Sequence, residues 1–74
     1  MSYYLTEKIR REIGKNIKKI REKKNANQID VAVDAGVNPS YYSKIERGEV
    51  NPSIDILYKI IKSLRVRSSD ILPF

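Results

Sequence analysis

The 74-residue chain contains no cysteine and no histidine. Those absences remove disulfides, thiol chemistry and the usual zinc sites, and leave the redox compartment open but compatible with the cytoplasm. Glycine is scarce, with three in the chain, and none sits in a loop of the kind that cradles phosphate groups. No pair of carboxylates is placed to share a cleft. An enzyme is therefore the least expected class, and no metal, cofactor or small-molecule ligand is anticipated. No apolar run approaches the length of a membrane span, and the N-terminus lacks the apolar segment of a signal peptide. A cytoplasmic protein with no membrane partner is expected.

What the chain does contain is apolar residues and positive charge. Hydrophobic residues make up 41% of it, enough to exclude wholesale disorder. At this length residues 1–74 form one domain at most, in the range where a single core is marginal and dimerisation is a common remedy. The net charge of +6 points to an anionic partner. Nine of the fifteen basic residues lie between Lys8 and Lys24, with only Glu12 and Glu22 as acids in that span. A basic amphipathic helix can also lie on a membrane or dock to an acidic protein, so charge alone does not choose among these.

Apolar periodicity organises the chain. Ile9, Ile13, Ile17 and Ile20 recur at helical spacing, which predicts an amphipathic helix over about 7–24. Asn25 tolerates positive φ and suits its end. Asn27 reads as the N-cap of a second helix, with Gln28 in its first turn and Asp30 at N3, and Gly36 breaks it. Asn38 caps a third helix, with Pro39 at N1, and Gly48 ends it. After Asn51-Pro52-Ser53, the spacing of Ile54, Leu57, Ile61 and Leu64 predicts a fourth helix of about eleven residues. Ser68 or Ser69 caps a last short turn carrying Ile71 and Leu72, and Pro73 stops it. No segment alternates with the period of a strand. The expected fold is all-α, five helices joined by short connections.

Residues 28–47 carry the strongest local pattern. Ala32 is small where two helices must cross closely, and Gly36 sits at a turn that favours a left-handed backbone. Val31, Ala35, Val37, Tyr42 and Ile45 supply the apolar positions that hold two short helices at a steep angle. This is the helix-turn-helix pattern. Two charges fall on inward faces: Arg21 follows Ile17 by one turn, and Glu46 follows Tyr42 by one turn. Lone charges on core faces are costly, so the two are expected to form a buried ion pair.

The stretches IGKNIKKIREKK, NQIDVAVDAGVNPSYYSKIERG and NPSIDILYKIIKSL closely resemble the phage repressor and Cro-like (Xre) helix-turn-helix family. The likeness covers roughly residues 13–72. It implies a five-helix, lambda-repressor-like domain that binds operator DNA, usually as a dimer on a two-fold-related site. It also implies that Gln28 contacts a phosphate and that Asn38, Pro39, Ser40, Tyr41, Ser43 and Lys44, at the start and outer face of the third helix, read bases. In the family an Arg–Glu pair sits where Arg21 and Glu46 stand. Three residues depart from the pattern: Arg65 and Asn25 stand where Gly is common, and Ile61 where Ala is frequent.

The outer face of the third helix fits that role chemically. Lys44 is long enough to donate to guanine O6 or N7, and Ser40 and Ser43 are short, adaptable partners. Tyr41 can meet a thymine methyl or a phosphate. Arg47 and the backbone near Asn51 are candidates for the flanking strand. One recognition helix covers too few base pairs for a unique site, so a homodimer is expected. Ile56, Tyr58, Ile60, Ile71 and Phe74 exceed what one inward face requires and are its expected surface. The recognition stretch VNPSYYSKIERG resembles restriction–modification controller proteins most. A phage or chromosomal repressor and an antitoxin-type regulator are the alternatives, with a protein-interaction module as the opposing class.

Overall fold

The structure is a computed structural model that describes residues 5–74; residues 1–4 of the expected domain lie outside the described residues. It contains α1 (Glu7–Lys23), α2 (Gln28–Ala35), α3 (Pro39–Glu46), α4 (Ile54–Leu64) and α5 (Ser68–Ile71), and no strand among the described residues.

Each of the first four helices begins with a side-chain cap. Thr6 Oγ1 accepts the Ile9 amide at 3.2 Å, Asn27 Oδ1 the Asp30 amide at 2.8 Å, Asn38 Oδ1 the Tyr41 amide at 3.1 Å, and Ser53 Oγ the Ile56 amide at 3.2 Å. These bonds satisfy amide donors that have no partner within the helix. α2 stops where Gly36 turns left-handed, at φ 72°, and the Val37 amide returns to the Ala32 carbonyl at 2.9 Å. That reversal sets α3 across α2. Asn25 and Arg65 adopt the same left-handed backbone, each at φ 58°, after α1 and α4. The expected Asn25 stop is present, and Arg65 performs a glycine's turn with a side chain attached.

The last helix begins differently from the expectation. Its N-cap is Arg67, not Ser68 or Ser69. The Asp70 carboxylate reaches back to the Arg67 amide at 2.9 Å, so an acid in the first turn, not a serine hydroxyl, marks the start of this helix.

The core gathers Ile13 and Ile17 from α1, Val31 and Ala32 from α2, Val37 from the turn, Tyr42 and Ile45 from α3, Leu57, Ile60 and Leu64 from α4, and Ile71 from α5. α1 packs on α3 and α5, and α2 packs on α3 and α4. The buried face of α4 is rotated from the one expected: Ile54 is 72% exposed, whereas Ile60 is wholly buried. Two polar links brace the outer helices, Asn16 Nδ2 to the Ile71 carbonyl at 2.9 Å and Ser63 Oγ to Asp34 at 2.6 Å.

Candidate nucleic-acid interface

α3 has little internal stability of its own, being barely two turns long. Its pose is set by α1 at three points. Gly14 lies so close that a Cβ there would collide with the Ile45 and Glu46 carbonyls. Arg10 Nε donates to the Gly48 carbonyl at 3.4 Å, just past the helix, while its Nη1 holds the Leu5 carbonyl at 2.8 Å. The third point is ionic: Arg21 Nε donates to Glu46 Oε2 at 2.7 Å and Arg21 Nη2 to Glu46 Oε1 at 3.0 Å.

The two side chains of this pair are 10% and 1% exposed. Arg21 Nη1 also donates to the Ala26 carbonyl at 2.9 Å, and Gln28 Nε2 donates to Glu46 Oε1 at 2.9 Å. Burial works to raise the Glu46 carboxyl, but Arg21, the nearby Tyr42 hydroxyl and Gln28 together outweigh it and hold the group below the ordinary carboxylate range. The Arg21 guanidinium is stabilised in turn, chiefly by its bonds to Glu46. Three elements thus meet on one carboxylate, with bidentate geometry that offsets much of the desolvation cost. Tyr42 lies wholly buried beneath α3, and its hydroxyl has no hydrogen-bond partner among the described residues. Burial pushes that phenol far up.

The opposite side of α3 faces outward. Asn38, Pro39, Ser40 and Lys44 are exposed, whereas Tyr41 and Ser43 are half-buried. The Tyr41 ring leans on the core rather than standing free. Asn38 spends its carbonyl oxygen on the helix cap and keeps its amide hydrogens available. No carboxylate among the described residues forms an ion pair with Lys44. Gln28, expected at a phosphate, is tethered to Glu46 through one hydrogen of its amide, which fixes where the other points. Asn51 is exposed in the loop before α4. Arg47 is also exposed, but it is engaged: Nε and Nη2 meet the Glu49 carboxylate, and Nη1 donates to Ser43 Oγ at 2.6 Å.

The expected dimer residues divide. Ile60 and Ile71 are wholly buried in the chain's own core, because α4 and α5 turn them toward α1 and α2, so neither can meet a partner. Ile56 is half-buried, while Tyr58 and Phe74 are exposed. Beside Tyr58 an apolar groove of about 410 Å³ runs between α4 and α5, lined by Ile54, Leu57, Ile61 and Leu72.

The sequence did not reveal Arg10 and Gly14, which position α3, or Glu49, which engages Arg47. Gly14 carried a usable signal. Glycine inside a helix costs about 1 kcal/mol relative to alanine, so its presence in a strongly amphipathic segment points to a close approach.

The family model described as helix-turn-helix matches residues 17–71. The chain belongs to this family. Among its relatives, the control protein C.BamHI of Bacillus amyloliquefaciens is 38% identical over 71 residues, covering 95% of this chain and 88% of that protein. The transcriptional regulator SinR of Bacillus subtilis (strain 168) is 44% identical over 55 residues, covering 73% of this chain but 50% of its own length. The crystal structure of the wild-type restriction–modification controller protein C.Esp1396I superposes with a TM-score of 0.77 at 32% identity, over 93% of this chain and 82% of that one. That of the controller protein C.AhdI from Aeromonas hydrophila, at 24% identity and a TM-score of 0.82 over 85% of this chain and 96% of that one, shares the fold. The chain is thus a helix-turn-helix transcriptional regulator of the controller or repressor type. Among the described residues, no helix is long and apolar enough to cross a membrane.

Proposed function

We propose that the protein binds a two-fold-symmetric operator as a homodimer, with α3 of each protomer in the major groove, and that it serves as a restriction–modification controller. The observation that carries this reading is the division of α3 between two faces. Glu46, Tyr42 and Ile45 are locked to the rest of the molecule, while Asn38, Pro39, Ser40 and Lys44 stand clear of it. A short helix held rigidly by its back is suited to present its N-terminal half to base edges. Lys44 is the long donor on that face. Gln28, tethered to Glu46 at the start of α2, then meets a flanking phosphate together with Arg47 and Asn51. Ile56, Tyr58, Phe74 and the α4–α5 groove form the surface that a second copy covers. The match to a control protein over most of its length favours the controller subtype. The protein would then act in the cytoplasm, on the nucleoid.

The test is to incubate the purified protein with a random duplex pool and sequence what it retains, together with sedimentation at micromolar concentration. Recovery of an inverted repeat by a dimeric species supports the reading. Recovery of no common sequence overturns it.

A further inference from the structure

Arg47 and Glu49 are separated by one residue, and a side chain pair at that spacing does not ordinarily face itself on a helix. The turn at Gly48 makes it possible. With φ at 72°, the chain reverses after α3, and the Glu49 amide bonds back to the Lys44 carbonyl at 3.0 Å. This carries the Glu49 side chain over the outer end of α3. Its carboxylate takes Nε and Nη2 of Arg47, the side-on fork of the guanidinium. Ser43 Oγ takes a hydrogen of Nη1 at 2.6 Å. A guanidinium has five N–H donors. The two that remain, one on Nη1 and one on Nη2, have no protein partner among the described residues. Both side chains of the pair are about half exposed, 53% and 51%. Hydrogen bonding to Arg47 holds the Glu49 carboxyl below its ordinary range, so the acid stays charged at neutral pH.

We propose that Glu49 and Ser43 are positioning residues that convert Arg47 from a general electrostatic contact into a fixed, charge-neutralised fork for a single phosphate, and that Glu49 thereby determines specificity. The proposal rests on the DNA-binding reading above. It moves Ser43 from base reading to holding Arg47. A free arginine at this place attracts any duplex, because phosphate neutralisation releases counterions whatever the sequence. An arginine already paired with a carboxylate offers little net charge to a loosely docked duplex. Its two remaining donors are of use only when the phosphate arrives in register, which happens when α3 is seated in the groove. The bidentate geometry then contributes direction without indiscriminate attraction.

The experiment measures binding of wild type, Glu49→Gln and Arg47→Ala, and of the double variant, to a duplex recovered from the random pool and to a random-sequence duplex of equal length, across a salt series. Glu49→Gln is expected to tighten binding to the random duplex several-fold and to steepen its log–log salt slope by about 0.9 per protomer, the increment for one further phosphate contact. Binding to the recovered duplex changes less, so discrimination falls several-fold. In the Arg47→Ala background the same change leaves discrimination unaltered. Loss of an exposed pair leaves the fold intact, and a merely structural role would not move the ratio. Undiminished discrimination in Glu49→Gln, or an equal shift with and without Arg47, overturns the role of Glu49 while leaving the DNA-binding reading in place. A wild type that prefers no duplex overturns that reading instead. In that case NMR titration of Glu49 still decides the pairing, with a carboxyl that rises toward the ordinary range in Arg47→Ala supporting the fork and an unmoved one excluding it.

Discussion

Gly14 of α1 lies directly against the Ile45 carbonyl at the end of α3, closer than any side-chain atom could stand. Helix propensity alone favours alanine there by about 1 kcal/mol. The opposing atoms, however, are backbone carbonyls, which cannot swing aside as a flexible side chain would. Overpacking of this kind costs about 1–3 kcal/mol, and more where backbone must shift. Gly14→Ala is therefore expected to lower stability despite its better propensity. Thermal unfolding reads the sign directly, and a raised Tm would show that the approach is not obligatory.

The buried pair of Arg21 and Glu46 gives stability a pH dependence. The Glu46 carboxyl is depressed in the folded state, so its contribution is complete above the unfolded carboxylate value of about 4.3 and is lost as pH falls through the folded value. Glu46→Gln leaves Arg21 buried without its counter-ion, at a cost of about 3 kcal/mol near neutral pH. The gap between variant and wild type should then narrow on acidification. Denaturant unfolding at several pH values checks this, and a gap independent of pH would mean that Glu46 gains nothing from its charge.

Tyr42 gives the opposite expectation for a core substitution. Its ring fills the space beneath α3, but its hydroxyl has no hydrogen-bond partner among the described residues. Removing the buried hydroxyl relieves a desolvation penalty of about 1 kcal/mol, which is offset by the loss of its favourable approach to the Glu46 carboxylate. Tyr42→Phe should change denaturant stability by less than about 1 kcal/mol, whereas Tyr42→Ala should cost about 3–5 kcal/mol.

Arg65 carries a side chain at φ 58° where the turn favours glycine. The left-handed backbone costs an L-residue roughly 1–2 kcal/mol, and the added freedom of glycine in the unfolded chain returns part of that. Arg65→Gly should stabilise by about 0.5–1 kcal/mol, visible as a rise in Tm of roughly 3–6 °C for a domain of this size.

These cases also mark what sequence could convey about the molecule. Caps and stops were legible because they act locally: Asn27 and Asn38 bond amides three residues on, and Gly36 turns at its own φ. Arg21 and Glu46 were legible because each broke an apolar stripe, and two such breaks imply one another. The face of α4 was not legible, since Ile54, Ile56, Leu57, Ile60, Ile61 and Leu64 support more than one helical stripe. The choice of Ile60 over Ile54 is made by tertiary packing, in which α4 lies on α2 and Ile60 joins the shared core. The start of α5 was missed because its N-cap, Arg67, carries no capping oxygen, and Asp70 bonds back to the Arg67 amide instead. Nor could the sequence say that Arg47 is held by Glu49, as the pair depends on a left-handed turn between them.

Discrimination by Lys44 is the most direct test that the outer face of α3 reads DNA. Binding of wild type, Lys44→Ala and Gln28→Ala is compared on the recovered duplex and on a random duplex at one fixed salt concentration. Lys44→Ala should lose about 1–3 kcal/mol of preference for the recovered sequence, while Gln28→Ala weakens both duplexes alike. Equal losses on the two duplexes for Lys44→Ala, or no loss on either, would contradict the assignment of α3 as the recognition helix.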